Sequence, residues 1–281
     1  MIKSISYWSM AGGLENTLPV SDALAQVKAA GFEGLELGIA PEGELTTSSS
    51  QADCETMRKA IDASGLHVST MATGMGWGKS LTSDDPGTRH TAIEQHSAAL
   101  QRAAWCGCEA LLVIPGVVTS PISPNEIVRY DHAVDRCREA CRRLLQTAER
   151  VGVDLCLENV WNGLFYSPLE FASFIDEFDS DRLGVYFDVG NLIGIHQHPP
   201  HWIELLGPRI KRVHIKDFEL DFDWTGGFCF CELLEGDVDF SQTVAALKSI
   251  GYDKTVVAEM LPPKEGLLDR TSAAMDRILS M

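Results

Sequence analysis

The sequence predicts a closed (β/α)8 barrel, one α/β domain over residues 1–281. Three observations predict it. Short apolar strand-like runs alternate with amphipathic helical stretches from end to end, and alternating β and α units imply a parallel sheet. The units number eight, with no shift of composition that would mark a linker. The 281-residue length suits one barrel of about 250 residues with extended loops. No G-x-G-x-x-G follows the first strand, which weakens the doubly wound dinucleotide-binding alternative.

The elements follow in order. "IKSISYW" reads as a strand, "PVSDALAQVKAAG" as a helix closed by Gly31, and "GLELG" as the second strand. The helix "QADCETMRKAIDASG" leads to the strand "LHVSTMA", and a long helix spans about Pro86 to Cys106. After the strand "ALLVIPG", "SPNEIVRYDHAVDRCREACRRLLQTAERVG" reads as a helix, with proline in its first turn and glycine past its end. "VDLCLEN", "RLGVYFDVG", "IKRVHIKD" and "KTVVAEM" are the last four strands. The helices "SPLEFASFIDEF", "PPHWIELLG", "DFSQTVAALKSIG" and "LLDRTSAAMDRILSM" follow them in turn. The pattern leaves one segment over, the long connection from Asp217 to Asp239, which suits a lid or an oligomer contact.

Composition narrows the function. Apolar residues make up 45 %, enough for a sizeable core, and the net charge of −17 argues against nucleic acid and anionic membranes as partners. No stretch approaches the roughly 20 apolar residues of a membrane span, and the N-terminus lacks the apolar region of a signal peptide. The eight cysteines include the C-x-C pairs Cys106/Cys108 and Cys229/Cys231, but none has the C-x2-C spacing with a second half that structural zinc needs. Reduced thiols in a cytoplasmic protein are the expectation.

In such barrels the active site lies at the carboxyl ends of the strands. Reading those ends gives Glu36 on strand two, Glu158 on five and Asp188 on six. Strand seven gives His214, with Lys216 and Asp217 beyond it, and strand eight gives Glu259. Alone, each is an ordinary solvated loop acid, a helix cap or a core histidine. Together, four potential ligands end four consecutive strands, and neighbouring strands lie about 4.8 Å apart. Carboxylates that close repel and raise one another's pKa, and a divalent cation removes that cost. The oxygen-rich set with one imidazole and no thiolate favours Mn²⁺ first, with Mg²⁺, Co²⁺ or Zn²⁺ as other candidates.

The chemistry of such a site points to removal of a proton next to a carbonyl. A cation on the carbonyl and adjacent hydroxyl oxygens stabilises the enediolate that forms. Two glutamates on opposite faces then serve as base and acid. Opposite-face return of the proton gives epimerisation, and return to the neighbouring carbon gives aldose–ketose isomerisation. The same apparatus can instead expel a β-hydroxyl as water, a dehydratase acting on a keto-inositol or dehydroshikimate-type substrate. A phosphodiesterase would need two or three metals and more histidines than these strand ends offer. A sugar-binding protein without turnover is a further alternative. Trp8, Trp77, Trp161, Phe165 and Trp224 follow or end strands and are candidates for a pocket wall. His196, His198 and His201 form a His-rich tract after strand six.

The motifs "CLEN", "YFDVGN", "VHIKD", "LLEGDVDF" and "VVAEM", in this order and spacing, resemble the xylose-isomerase-like sugar isomerase/epimerase barrels. That group includes ketose 3-epimerases, L-xylulose-5-phosphate 3-epimerase, hydroxypyruvate isomerase and inositol-pathway enzymes. The resemblance implies one divalent metal on Glu158, Asp188, His214 and Glu259, with Glu158 and Glu259 also the acid/base pair. It places Glu36, Asn191, Lys216 and Asp217 near the substrate, with Trp161 of the candidate pocket wall beside them as a substrate-binding expectation from its place after strand five. It also implies a homo-oligomer, a dimer or tetramer, acting on a small sugar or sugar phosphate. Two departures pull in opposite directions on the substrate. Many epimerases of unphosphorylated ketoses have histidine where this chain has Asn191, whereas the phosphopentose enzyme has "DVGN" there, as here. Yet the loop "TGMGWGKSLTSDD" has Lys79 as its only base, where that enzyme's loop is basic.

Overall fold

The computed structural model describes residues 1–123, 126–221 and 228–281. Eight parallel strands close into a barrel: β1 (Ile2–Ser6), β2 (Gly34–Gly38), β3 (His67–Ala72), β4 (Ala110–Val113), β5 (Asp154–Glu158), β6 (Leu183–Asp188), β7 (Ile210–Ile215) and, after a hairpin, β10 (Thr255–Ala258). Each pairs with its neighbour in sequence, and β10 closes the ring on β1 through Ile2–Thr255 to Ile5–Ala258. The hairpin is β8 (Asp217–Glu219) with β9 (Cys229–Cys231), antiparallel. It occupies the connection that the barrel pattern left over.

The helices outside the barrel follow the capping signals of the sequence. These are α1 (Val20–Ala29), α2 (Gln51–Ser64), α3 (Met75–Gly78), α4 (Pro86–Cys106), α5 (Tyr130–Val151), α6 (Pro168–Asp176), α7 (Val189–Ile193), α8 (Pro199–Leu206), α9 (Phe240–Ser249) and α10 (Leu267–Leu279). Ser50 and Asp53 form a reciprocal capping box on α2, and Asp85 caps α4 through Thr88 N at 2.7 Å. None of the helices among the described residues is long and apolar enough to cross a membrane.

One helix start differs from the sequence expectation. The run from Ser123 predicts a helix with proline in its first turn, but α5 begins at Tyr130. Pro124 and Asn125 lie outside the described residues, and tertiary contacts hold Glu126 and Val128 out of helix. The Glu126 carboxylate accepts from Ser83 Oγ at 2.9 Å and from Asp84 N, and Val128 N donates to Val118 O at 2.8 Å. The loops after β3 and β4 use groups that a helix would have turned elsewhere.

Inside the barrel, Ala72, Ala110, Leu112, Cys156 and Tyr186 form a packed plug of small and large side chains. Side chains two apart on a strand share a face, so the inward Tyr186 sets Asp188 inward as well. The chain then turns sharply through α7. A Cβ added at Gly190 would lie 2.5 Å from Lys216 Cβ and 3.0 Å from the Lys216 carbonyl carbon. The β6 end and the residue after β7 approach this closely only because position 190 has no side chain. Gly190→Ala is therefore expected to destabilise the protein by about 1–3 kcal/mol, measurable by urea denaturation.

Candidate metal centre and active site

Glu158, Asp188, His214 and Glu259 converge. Each offers one ligand atom, and these atoms all lie within 4.8 Å of one another. β5, β6 and β7 deliver the first three side chains, and Glu259 follows β10 with its N–H bonded to Ile215 O at 3.1 Å. Burial divides the set. Asp188 and His214 are 0 % exposed, whereas Glu158 and Glu259 each keep 6 % and reach a cleft of about 670 Å³ at the strand ends. The buried pair forms the floor, and the two glutamates face the space a ligand would fill.

The free atoms fit a cation. Asp188 Oδ2, His214 Nδ1 and Glu259 Oε2 are buried with no hydrogen-bond partner, although Nδ1 lies 3.8 Å from Asp188 Oδ2 and 3.6 Å from Glu259 Oε2. Lys216 Nζ sits 2.9 Å from Asp188 Oδ2 and in contact with Glu259 Oε2. These are ion-pair contacts, but neither oxygen receives a well-directed hydrogen bond from it. Hard oxygen donors with one imidazole suit a divalent ion such as Mn²⁺, Mg²⁺ or Zn²⁺ and do not single one out.

Asp188 and Glu158 are also tied down away from the centre. Asp188 Oδ1 caps α7 by accepting from Asn191 N at 2.9 Å, which leaves Oδ2 for the centre. Asn159 bridges β5 to β6: its Oδ1 accepts from Asp188 N at 2.8 Å and its Nδ2 donates to Asp188 O at 2.7 Å. Asn191 Nδ2 donates to Asn159 O at 3.0 Å and reaches Glu158 Oε1 at 3.3 Å.

Two sequence expectations are corrected here. Glu36, expected at the substrate, does not line the cleft. It is fully buried across the barrel, with Oε1 2.8 Å from His214 Nε2 and Oε2 accepting from the Tyr186 hydroxyl. It therefore orients the imidazole and turns Nδ1 toward the centre, the usual carboxylate–histidine support of a metal ligand. Asp217 does not line the cleft either. Its carboxylate accepts from Phe218 N at 2.9 Å, Gly236 N at 2.9 Å and Val238 N at 3.2 Å, closing the base of the hairpin segment. Its charge is consumed by backbone donors that only the folded connection brings near.

Asn191, Lys216 and Trp161 do line the cleft, as do Trp8 and Trp77. Trp161 donates to Asn191 O at 2.8 Å and stacks on Phe230 of β9 at 5.0 Å. Phe165 belongs instead to the core, stacked on Phe171 at 5.0 Å. Trp224 lies outside the described residues. The histidine tract stays apart from the centre, with His198 against His201 at 4.6 Å and His196 near Phe228. Sequence reasoning assigned no role to Asn159 or Tyr186. Tyr186 was discoverable, because it stands two residues before Asp188 and so shares its inward face.

The electrostatics follow from burial. Burial pushes the Glu158 carboxyl up to about 8, further than the Lys216 charge pulls it down. Burial also raises Asp188, against Lys216 and His214. For Glu259, burial is outweighed by Lys216 and then His214, and the carboxyl stays below its usual range. Burial disfavours the His214 imidazolium, yet Glu36 and then Glu259 and Asp188 overcome it and hold the ring up to about 9.

A model of the xylose isomerase-like TIM barrel matches residues 24–278. The chain belongs to the xylose isomerase-like TIM barrel family. Within that family it is 26 % identical over 182 residues to an uncharacterized protein of Methanocaldococcus jannaschii, across 61 % of this chain and 57 % of that protein. It is 20 % identical over 211 residues to an inosose dehydratase of Bacillus thuringiensis, across 73 % of this chain and 65 % of that protein. The match thus spans less than two thirds of either relative's length. In structure it resembles D-psicose 3-epimerase from Clostridium cellulolyticum H10, solved with D-tagatose, with a TM-score of 0.81 and 19 % identity over 99 % of both chains. At that identity the likeness is one of fold.

Two outcomes follow for this family member. Glu36→Gln or Tyr186→Phe is expected to weaken Mn²⁺ binding by about 10–100-fold in a calorimetric titration, because the supporting partner of His214 is lost or loosened. The pH dependence has a definite sign. With their folded pKa values raised, Glu158 and His214 stabilise the metal-free protein fully only below their usual 4.5 and 6.5, and that stabilisation is lost as pH rises through about 8 and about 9. A divalent ion needs both protons gone. The rise in Tm caused by added Mn²⁺ is therefore expected to grow between about pH 6 and 9, read by thermal melts with and without metal.

Proposed function

We propose that this protein is a divalent-metal-dependent isomerase or 3-epimerase of a ketose or ketose phosphate, with Glu158 and Glu259 as its acid/base pair. The observation that carries this reading is the division of the ligand set. Asp188 and His214 are sealed in the floor, while Glu158 and Glu259 alone of the four face the cleft. Two carboxyls that share one cleft and differ in proton affinity suit a base and an acid. In the metal-free protein burial holds Glu158 up to about 8, while Lys216 and His214 hold Glu259 below its usual range, so the two carboxyls sit in unlike surroundings within one cleft.

Glu158, Asp188, His214 and Glu259 would hold the ion, with Mn²⁺ the first candidate. When bound, such an ion supplies Lewis-acid polarisation of a carbonyl oxygen. The remaining work falls to the chain. One of the two glutamates removes a proton from the carbon next to the carbonyl and the other returns one from the opposite side or to the neighbouring carbon, and which of them abstracts depends on the epimer bound. The Lys216 ammonium lies beside both Asp188 and Glu259, where it can offset negative charge developing on the substrate oxygens. Asn191 holds Glu158 in place through its side-chain amide, and Trp161 covers that flank against water.

A dehydratase reading is favoured by one finding, the inosose dehydratase of Bacillus thuringiensis among the sequence relatives. The two reactions share the first step and differ in the fate of the β-hydroxyl.

One experiment addresses both. Incubation of the Mn²⁺-loaded protein with ketoses, ketose phosphates and keto-inositols in deuterated water is expected to place deuterium at one carbon next to the carbonyl. Glu158→Gln and Glu259→Gln are each expected to slow this exchange by about 10²–10⁴-fold. Absence of exchange with every member of the panel would sink the proposal. A conjugated product absorbing in the ultraviolet would assign the chemistry to dehydration.

A further inference from the structure

The cleft is two-sided. One side carries Glu158, Glu259, Asn191 and Lys216 from the ends of β5 to β7 and β10. The other side, built by the segments after β1 to β4, is mostly apolar, with Trp8, Ile39, Trp77 and Ile114, and has Asn16, Lys79 and Gln95 as its polar lining residues. The only strand-end carboxylate of that half, Glu36, has turned away into the barrel to hold His214. The mouth is apolar too: Leu14 is 50 % exposed, and Phe230 and Leu261 are each 41 % exposed.

The cavity also exceeds what a free sugar needs. Its volume of about 670 Å³ falls amid the roughly 300–1,000 Å³ of sites that enclose drug-sized ligands. A free ketose is polar on all sides. Filling the mostly apolar half with it would strip hydroxyls of water against Ile39, Trp77 and Ile114, where only Asn16, Lys79 and Gln95 offer polar side chains, which is unfavourable for the hydroxyls left unpaired. Charge argues in the same direction. Among the described lining residues the cations are Lys79 and Lys216, and Lys216 is engaged by Asp188 and Glu259. The net charge of −17 further disfavours an anionic ligand.

We infer that the cleft takes a neutral, unphosphorylated keto sugar that carries an aromatic or similar apolar group, as a glycoside with an aryl aglycone and one ring hydroxyl oxidised to a ketone does. The sugar ring meets Glu158 and Glu259, and the apolar group lies between Trp8, Ile39 and Trp77 with its outer edge at Leu14. This rests on the reading of the cleft as a sugar site and narrows it to a substrate class. The aromatic walls would contribute stacking and apolar burial that a free monosaccharide or a sugar phosphate cannot use.

The test is calorimetric titration of the Mn²⁺-loaded full chain with phenyl β-D-glucoside, methyl β-D-glucoside and glucose 6-phosphate. The phenyl glycoside is expected to bind about tenfold or more tightly than the methyl one, with the phosphate weakest. Trp77→Ala should remove the phenyl preference and leave the methyl glycoside within about twofold of its original affinity. Leu14→Lys, at an exposed position where folding is not in question, should reduce the same preference. Equal affinity for the two glycosides, no binding of either, or tightest binding of the phosphate would overturn the inference. Phenyl-selective binding together with absence of deuterium exchange across the ketose panel would support it while removing the proposed reaction.

Discussion

Three carboxylates cannot share a dry pocket unless positive charge is placed among them. Two like charges 4 Å apart repel by about 4 kcal/mol at the effective dielectric of a protein site, and Asp188, Glu158 and Glu259 stand within one coordination radius at the top of the barrel. The chain answers part of this repulsion itself. Lys216 lies against two of the three carboxylates, His214 is held toward its charged form, and Glu158 is pushed toward its neutral one. A divalent ion would concentrate the same compensation at one point. The surrounding hydrogen bonds, the missing side chain at position 190 and the placement of Lys216 all bear on how that charge is arranged.

Support for the centre comes from residues that never reach the cleft. Glu36 crosses the barrel to His214, and the Tyr186 hydroxyl holds its second oxygen. Asn159 clasps the backbone of Asp188 in both directions, so the ends of β5 and β6 move as one unit. Asp188 uses one oxygen as a helix cap and keeps the other for the centre. Glu158, Asp188 and His214 are therefore each held by a bond away from the centre, which keeps those donor atoms in place before any ion arrives.

The barrel pattern and the ligand set were legible because both depend on local periodicity. An apolar strand that ends in a carboxylate and is followed by a helix is visible at Glu158 and Asp188, and eight such units leave few topologies. The start of α5 was not legible. Pro124 and the residues after it carry helix-start signals, but Glu126 and Val128 are claimed by the loops after β3 and β4, which are distant in sequence. The hairpin in the long connection was likewise hidden, because its short strands carry little periodicity of their own.

By itself the sequence determined the barrel and the four residues that meet, since strand period and unit count do not depend on long-range contacts. Only the tertiary structure decided which strand-end polar groups face a ligand. Glu36 and Asp217 have the same chemistry and strand-end setting as Glu259, yet one is bonded to an imidazole across the barrel and the other to backbone N–H groups of a folded connection. A buried carboxylate goes where its partners are, and those partners lie 178 residues along the chain from Glu36 and up to 21 from Asp217.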